Sequence, residues 1–328
     1  MKNPKATLIL LAKLAVSAGL LGYFLSRIDF SQFWETLRAV KLAYVGLALF
    51  AYLVGQVISA VRWTVLSRPL GFAMGLSGMT AYYFIGMFFN LFAPGTVAGD
   101  LSRIYYLTRE GQKDNAESWG AAMLRATVSV IADRAVGMCV LVWLGTAGLL
   151  LFSHYAIPAT VRSSTYALAL GLAMGGACLP LVTRFLPNES HPVVGKLRVA
   201  LESYGRELGA IPIAMALSLV VHLIQTWMHV VMGMALNLDL PFSFCLILYP
   251  LVGVFAAIPI SFGGIGLRES GYMFLLGTLG FASEKGIAFG LLLFIVVALD
   301  SLLGGLLFLL KGKEASPALA AAGENQFK

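Results

Sequence analysis

Charge is scarce in this chain. Asp, Glu, Lys and Arg make up 12% of its 328 residues, about half the share of an ordinary soluble domain. So few charges cannot clothe a water-facing globule of this length, which excludes a conventional soluble enzyme. Cysteine is sparse too. The three present, Cys139, Cys178 and Cys245, all fall inside apolar runs, where a thiol packs as a small hydrophobe, so no disulfide framework is expected. Only four histidines occur, and they are scattered. His222 and His229 stand seven apart, on one helix face, a spacing that reads as packing or hydrogen bonding rather than metal ligation. No His, Cys, Asp and Glu cluster has ligand spacing, so no metal and no other cofactor is expected and no catalytic residue is assigned. No basic run interleaves with aromatics in a polar setting, which argues against nucleic acid as a partner. No period-two alternation runs through the apolar segments, which excludes a membrane β-barrel.

What the chain has in abundance is apolar length. Hydrophobic residues reach 59%, and runs of about 20 recur, each long enough to cross a hydrocarbon core roughly 30 Å thick. The predicted fold is an all-α polytopic membrane protein with about eight transmembrane helices, over roughly 7–25, 42–61, 74–93, 126–152, 165–186, 210–236, 243–261 and 287–310. Lys13 interrupts the first run, so it reads as an uncleaved span rather than a signal peptide. Trp63 and Trp119 fall near predicted span ends, as an aromatic belt requires. Segment 26–41 carries Phe30, Phe33, Trp34 and Leu37 on one side and is expected along the interface. In segment 187–209, Leu197, Leu201, Tyr204 and Leu208 share a face expected to rest on the membrane surface. No polar stretch is long enough to fold a core of its own. The domain reading is therefore one integral-membrane domain over 1–313 and a disordered polar tail over 314–328. The Lys and Arg count does not decide orientation, as expected if some segments return to the side they came from.

Two segments share one pattern, P-x-S/T-x-x-G-x-x-x-R, one in each half of the chain. The first runs from Pro94, Gly95 and Thr96 through Gly99 and Asp100 to Arg103; the second runs from Pro259 and Ser261 through Gly263, Gly264 and Gly266 to Arg268 and Glu269. Proline and glycine break a helix, and the hydroxyl residue can cap the one that restarts. Paired breaks in matching halves point to a transporter's binding site, here as two re-entrant elements in an internal pseudo-repeat. Helix starts offer unpaired N–H groups and partial positive charge, and Arg103 and Arg268 offer bidentate donors suited to phosphate. The pattern therefore predicts an anion site within the membrane.

Ionisable residues at apolar depth each demand a partner or a cavity. Asp100 and Arg103 are three apart and can neutralise one another on a helix. Arg268 and Glu269 are adjacent and are expected to reach different partners. Arg125, Asp133 and Arg134 share one span, and the last span holds a single acid, Asp300. Arg62, at the end of the second span, is expected to snorkel to head groups. Asn90, just before the first break, is expected to line the cavity or bond a freed carbonyl. GGIGLRE follows no strand, so it is not read as a nucleotide-binding loop.

The strings FFNLFAPGTVAGDLSRIYYL, ADRAVGMCVLV and IPISFGGIGLRESG resemble, in order, three motifs of the lysylphosphatidylglycerol synthase transmembrane-region family, also called the flippase-like domain family. On that resemblance Asn90, Pro94, Gly95, Gly99, Asp100 and Arg103 match the first signature, Asp133 and Arg134 the central one, and Pro259, Ser261, Gly263, Gly264, Gly266, Arg268 and Glu269 the last; Thr96 stands where relatives often carry Ser. The resemblance implies a multi-pass protein of the bacterial or archaeal inner membrane that handles lipids. In two-domain members a separate soluble domain transfers lysine or alanine from tRNA to phosphatidylglycerol. This chain resembles the membrane part alone, so the synthase activity is not carried over.

The expected function is a lipid translocase, not an enzyme, that moves a phosphate-bearing or isoprenoid-linked lipid, an anionic phospholipid or a polyprenyl-phosphate-type lipid, with the phosphate held by Arg103 and Arg268. Two alternatives stay open: an intramembrane lipid-modifying or group-transfer enzyme, and a non-catalytic protein that presents lipid to a lipid-synthesis partner. Homo-oligomerisation is open as well.

Overall fold

A bilayer offers the backbone no water, so apolar segments close their hydrogen bonds within themselves as helices. The computed structural model describes residues 29–92, 98–114, 118–185, 194–258, 260–261 and 264–311, together with 15, 16, 18, 19 and 22. Most of the predicted first span, the tail, and Pro94, Gly95, Thr96, Pro259 and Gly263 lie outside the described residues. Among those described, the regular structure is helical: α1 (Phe30–Arg38), α2 (Leu42–Ser67), α3 (Leu76–Phe92), α4 (Ala98–Asp114), α5 (Trp119–Leu151), α6 (Ala159–Phe185), α7 (Val194–Arg206), α8 (Ala210–Ala235), α9 (Phe242–Ala256), α10 (Leu267–Gly277) and α11 (Ser283–Lys311). Four are long and apolar enough to cross a membrane: α2, α5, α8 and α11. They coincide with four of the predicted spans. The predicted spans at 74–93 and 243–261 correspond instead to shorter helices of 17 and 15 residues, about 25 and 22 Å long.

Both shorter helices belong to hairpins. Helix α4 folds back along α3: Asn90 meets Gly99 near the tip, and Tyr82 stacks on Tyr106 further along. Helix α10 folds back along α9, where Gly264 lies against Ala256 and Gly271 against Val252. The halves therefore repeat one order: long helix, hairpin, long helix. The starts of α2, α3, α4 and α5, at 42, 76, 98 and 119, precede those of α8, α9, α10 and α11, at 210, 242, 267 and 283, by 164 to 169 residues. Packing repeats as well, since α5 lies against α9 as α11 lies against α3. The counterparts α2 and α8 run antiparallel: the Lys41 N–H donates to the Ala235 carbonyl at one end (3.0 Å), and Arg62 reaches Ser218 towards the other (3.0 Å). The halves are thus inverted relative to one another.

Two apolar clusters hold the assembly. One gathers α8, α9, α10 and α11 around Phe244, Leu248, Tyr272 and Phe289. The other gathers α3, α4, α5 and α7 around Trp63, Met79, Ile85 and Leu107. Several surface expectations change here. Trp63 is fully buried, its indole N–H donating to Ser129 (3.2 Å), so it is core rather than belt. In α1 the apolar side divides, with Phe33 buried while Phe30 and Trp34 stay exposed. On α7, Leu197, Leu201 and Tyr204 pack against the second cluster rather than on a membrane surface. Tyr204 is drawn there because its hydroxyl bonds the Leu66 carbonyl (2.8 Å) in the last turn of α2, where carbonyls lack helical partners; Leu208 alone of that set is left outside. Cys245 is buried as expected, but Cys178 is exposed.

Candidate functional site

Each hairpin tip is built by a local device. Asn90 Oδ1 accepts from the Gly99 N–H (3.0 Å), occupying one of the donors that the start of α4 leaves unpaired. Of the two roles expected of it, Asn90 lines the cavity described below, and it bonds this N–H in place of a freed carbonyl. A Cβ on Gly99 would collide with the Gly86 carbonyl oxygen, so only glycine lets α3 and α4 approach this closely. At the second tip Gly266 takes φ +88 at the N-cap of α10, and Glu269 reaches back to accept from its N–H (2.7 Å). That reach explains a correction. Arg268 and Glu269 do not seek separate partners: the carboxylate drawn over the first turn also accepts from Arg268 Nη2 (3.0 Å) and Nε (3.2 Å).

Between the hairpins lies a cavity of about 270 Å³, lined by Arg62, Asn90, Arg103, Asp133, Arg134 and Arg268, with Tyr52, Gln56, Tyr83 and Ser301 among its other polar walls. Both pattern arginines, 165 residues apart, face this one space. Asp133 is its central anion. It is buried in α5, and its oxygens accept from Arg62 Nε (2.8 Å) and Arg103 Nη2 (2.8 Å). Arg103 is further fixed by aromatic faces, with its guanidinium carbon 4.2 Å from the Trp63 ring centre and 4.7 Å from that of Tyr83. The expected Asp100–Arg103 pair is present but loose, at 3.7 Å. Asp100 is held more closely by Arg134, at 2.9 Å. Arg134 is the exposed member of the set, with 56% of its side chain accessible.

The formal charge among the paired groups around the cavity is unbalanced. Four guanidinium groups (Arg62, Arg103, Arg134, Arg268) face three carboxylates paired with them (Asp100, Asp133, Glu269). Among the described residues of the two patterns, Arg103 Nε and Ser261 Oγ are donors buried without a partner. Buried donors left unbonded are costly, which makes such groups candidates for a ligand that accepts hydrogen bonds.

Of the pattern residues, the structure brings Asn90, Arg103, Asp133, Arg134 and Arg268 to the cavity wall, with Gly99, Asp100 and Glu269 one contact behind. Gly264 and Gly266 lie buried at the second tip, as does Ser261. Sequence reasoning missed Arg62 as a site residue. It does not snorkel; it is 6% exposed and bonds Asp133 and Ser218. The signal was available, since Arg62 has 20 residues of α2 before it and only five after, yet a guanidinium can reach inward from such a place as readily as outward. Tyr52 and Gln56 carried no signal beyond polarity at apolar depth. The two histidines are hydrogen-bonded, as expected. His222 bonds the Tyr249 hydroxyl (2.8 Å) and the Gly137 carbonyl (2.9 Å); His229 bonds Tyr272 (2.7 Å) and the Gln225 carbonyl (2.7 Å). No cluster with metal-ligand geometry occurs among the described residues.

No curated protein matches the chain. Residues 10–304 match the family described as lysylphosphatidylglycerol synthase TM region, the one that the three motif strings resemble; the chain belongs to that family.

Proposed function

We propose that this protein is a lipid translocase of a bacterial or archaeal inner membrane, whose cavity receives a phosphate-bearing head group while the hydrocarbon tails stay in the bilayer. The surplus of guanidinium over paired carboxylate around one cavity carries the reading. A phosphate oxygen competes with Glu269 for Arg268 and takes up the unbonded Nε of Arg103, so the head group exchanges water for charge-assisted hydrogen bonds. The four positive groups offset much of the cost of bringing an anion to apolar depth. The inverted halves, each with a hairpin whose tip faces the cavity, suit alternate exposure of one site to the two membrane faces. On this reading the hairpins are re-entrant, and the chain carries its lipid without converting it.

The test is head-group accessibility of labelled phosphatidylglycerol in liposomes holding the full chain. Wild type is expected to accelerate crossing, and Arg268→Gln to slow it by about tenfold or more, the worth of one charged hydrogen bond. Arg103→Lys keeps the charge that balances Asp133 but loses the planar fork, and is expected to slow crossing similarly. Equal rates in all three proteins, each shown folded by its thermal transition, end the reading. A converted lipid in the same vesicles replaces it with an enzyme.

A further inference from the structure

One acid stands apart from the network. Asp300, in the middle of α11, is 6% exposed, and its Oδ2 is buried with no hydrogen-bond partner. Every other buried acid on the long or hairpin helices is paired: Asp133 with two arginines, Glu269 with Arg268 and the Gly266 N–H. Among the described residues, none forms an ion pair with Asp300. It lies beside the cavity all the same. Its chain neighbour Ser301 and Val297, one turn earlier, line the wall, as does Tyr52. Ionisable groups on the helices packed against α11 include Tyr44, Tyr52 and Arg62 of α2, Tyr82 and Tyr83 of α3, Arg268, Glu269 and Tyr272 of α10, and His222 and His229 of α8. Helix α1 meets α11 at its far end, where Glu284 accepts from the Asp29 N–H. The charged members are already bonded, Arg268 to Glu269 and Arg62 to Asp133.

Charge counting shows what this carboxyl can do. With Asp300 ionised, four arginines face four carboxylates and the empty site is neutral. A phosphodiester head group adds one negative charge. A proton on Asp300 restores neutrality, and a neutral loaded site crosses a low-dielectric barrier far more cheaply than a charged one. Binding and protonation are then reciprocally linked, each favouring the other. We propose that Asp300 is a proton-binding site coupled to the cavity, so that one proton is taken up onto its carboxylate with each phosphodiester lipid bound and is released when the lipid leaves. This rests on the head-group reading above and supplies the coupling ion that it lacks.

The test uses the full chain in detergent, titrated calorimetrically with dihexanoyl phosphatidylglycerol in buffers of different ionisation heat. That lipid's own phosphate does not titrate near neutral pH, so any proton exchanged belongs to the protein. Wild type is expected to take up close to one proton per lipid in mildly alkaline buffer. Asp300→Asn is expected to bind without proton uptake, and in liposomes to lose the response of transport to an imposed pH gradient. Asp300→Glu is expected to restore both. Binding by wild type without proton uptake overturns the coupling and leaves the head-group reading standing, as does unchanged uptake in Asp300→Asn. Absence of wild-type binding overturns both.

Discussion

The two hairpins share a backbone plan and differ in how they hold their arginine. In the first, Arg103 is tied to another helix through Asp133 of α5 and clasped by Trp63 and Tyr83. In the second, Arg268 is paired with its own chain neighbour, over the ring of Phe294. The first arginine is therefore part of the scaffold; moving α4 would break a buried ion pair. The second travels with its counter-ion, so α10 can shift without leaving either charge alone. A repeat that was merely duplicated would tether both in the same way. The asymmetry marks the first hairpin as the fixed wall of the cavity and the second as the candidate for movement.

That contrast predicts unequal costs, and the largest falls on the fixed wall. Asp133→Leu leaves Arg62 buried without an anion and Arg103 with only its loose contact to Asp100, and is expected to destabilise the protein by about 3–5 kcal/mol, enough to prevent accumulation or to lower the unfolding transition in micelles sharply. Glu269→Leu removes a cap and one counter-ion from a guanidinium with 13% of its side chain exposed, and is expected to cost about 1–2 kcal/mol. Denaturant titration of both variants measures the gap. Equal losses would mean that the second arginine is anchored as firmly as the first, and the assignment of wall and mover would fail.

The tips allow a second, smaller contrast. Gly99 is required by the neighbouring helix, because an added Cβ meets the Gly86 carbonyl. Gly266 is required by its own backbone, at φ +88. Gly99→Ala must push α4 off α3, at about 1–3 kcal/mol, and is expected to disturb the Asn90 cap with it. Gly266→Ala strains one residue, at about 1–2 kcal/mol, and leaves the packing of α9 on α10 in place. Additivity with Asn90→Ala separates the two: Gly99→Ala should couple to it, being in contact, and Gly266→Ala should not.

How much of this was legible beforehand follows from what each feature depends on. The paired pattern, the breaks and the long spans are periodic or local, so they stand in the sequence. The convergence of Arg103 and Arg268 on one space was anticipated from the repeat alone. Most of what escaped notice depends on partners distant in the chain. Arg62 turns inward because Asp133, 71 residues on, and Ser218, 156 residues on, await it. The α7 face left the membrane surface because Leu66 offered a carbonyl. Arg268 and Glu269 paired against the rule for adjacent helix residues because the rule holds mid-helix, while a capping carboxylate bends back over the first turn.

The finest distinction concerns the mouth of the cavity. Arg134 and Asp100 form the pair nearest solvent, and an exposed ion pair contributes about 1 kcal/mol or less to stability. Arg134→Gln is therefore expected to shift unfolding little. Its effect should appear instead in the salt dependence of transport, since an exposed charge that draws an anionic head group towards the cavity is screened beyond about 10 Å at 0.1 M salt. Wild type is expected to slow as salt rises from low to moderate strength, and Arg134→Gln to start slower and respond less, by a few-fold. Asp100, freed of Arg134, would fall back on Arg103, at present 3.7 Å away, drawing that guanidinium from the cavity. The double variant Arg134→Gln, Asp100→Asn separates the two effects. If its rate recovers while its salt response stays flat, Arg134 acts at a distance on the arriving lipid and Asp100 acts as the restraint on Arg103. If the salt response of Arg134→Gln equals that of wild type, the mouth pair is structural and attraction of the head group begins only at the inner arginines.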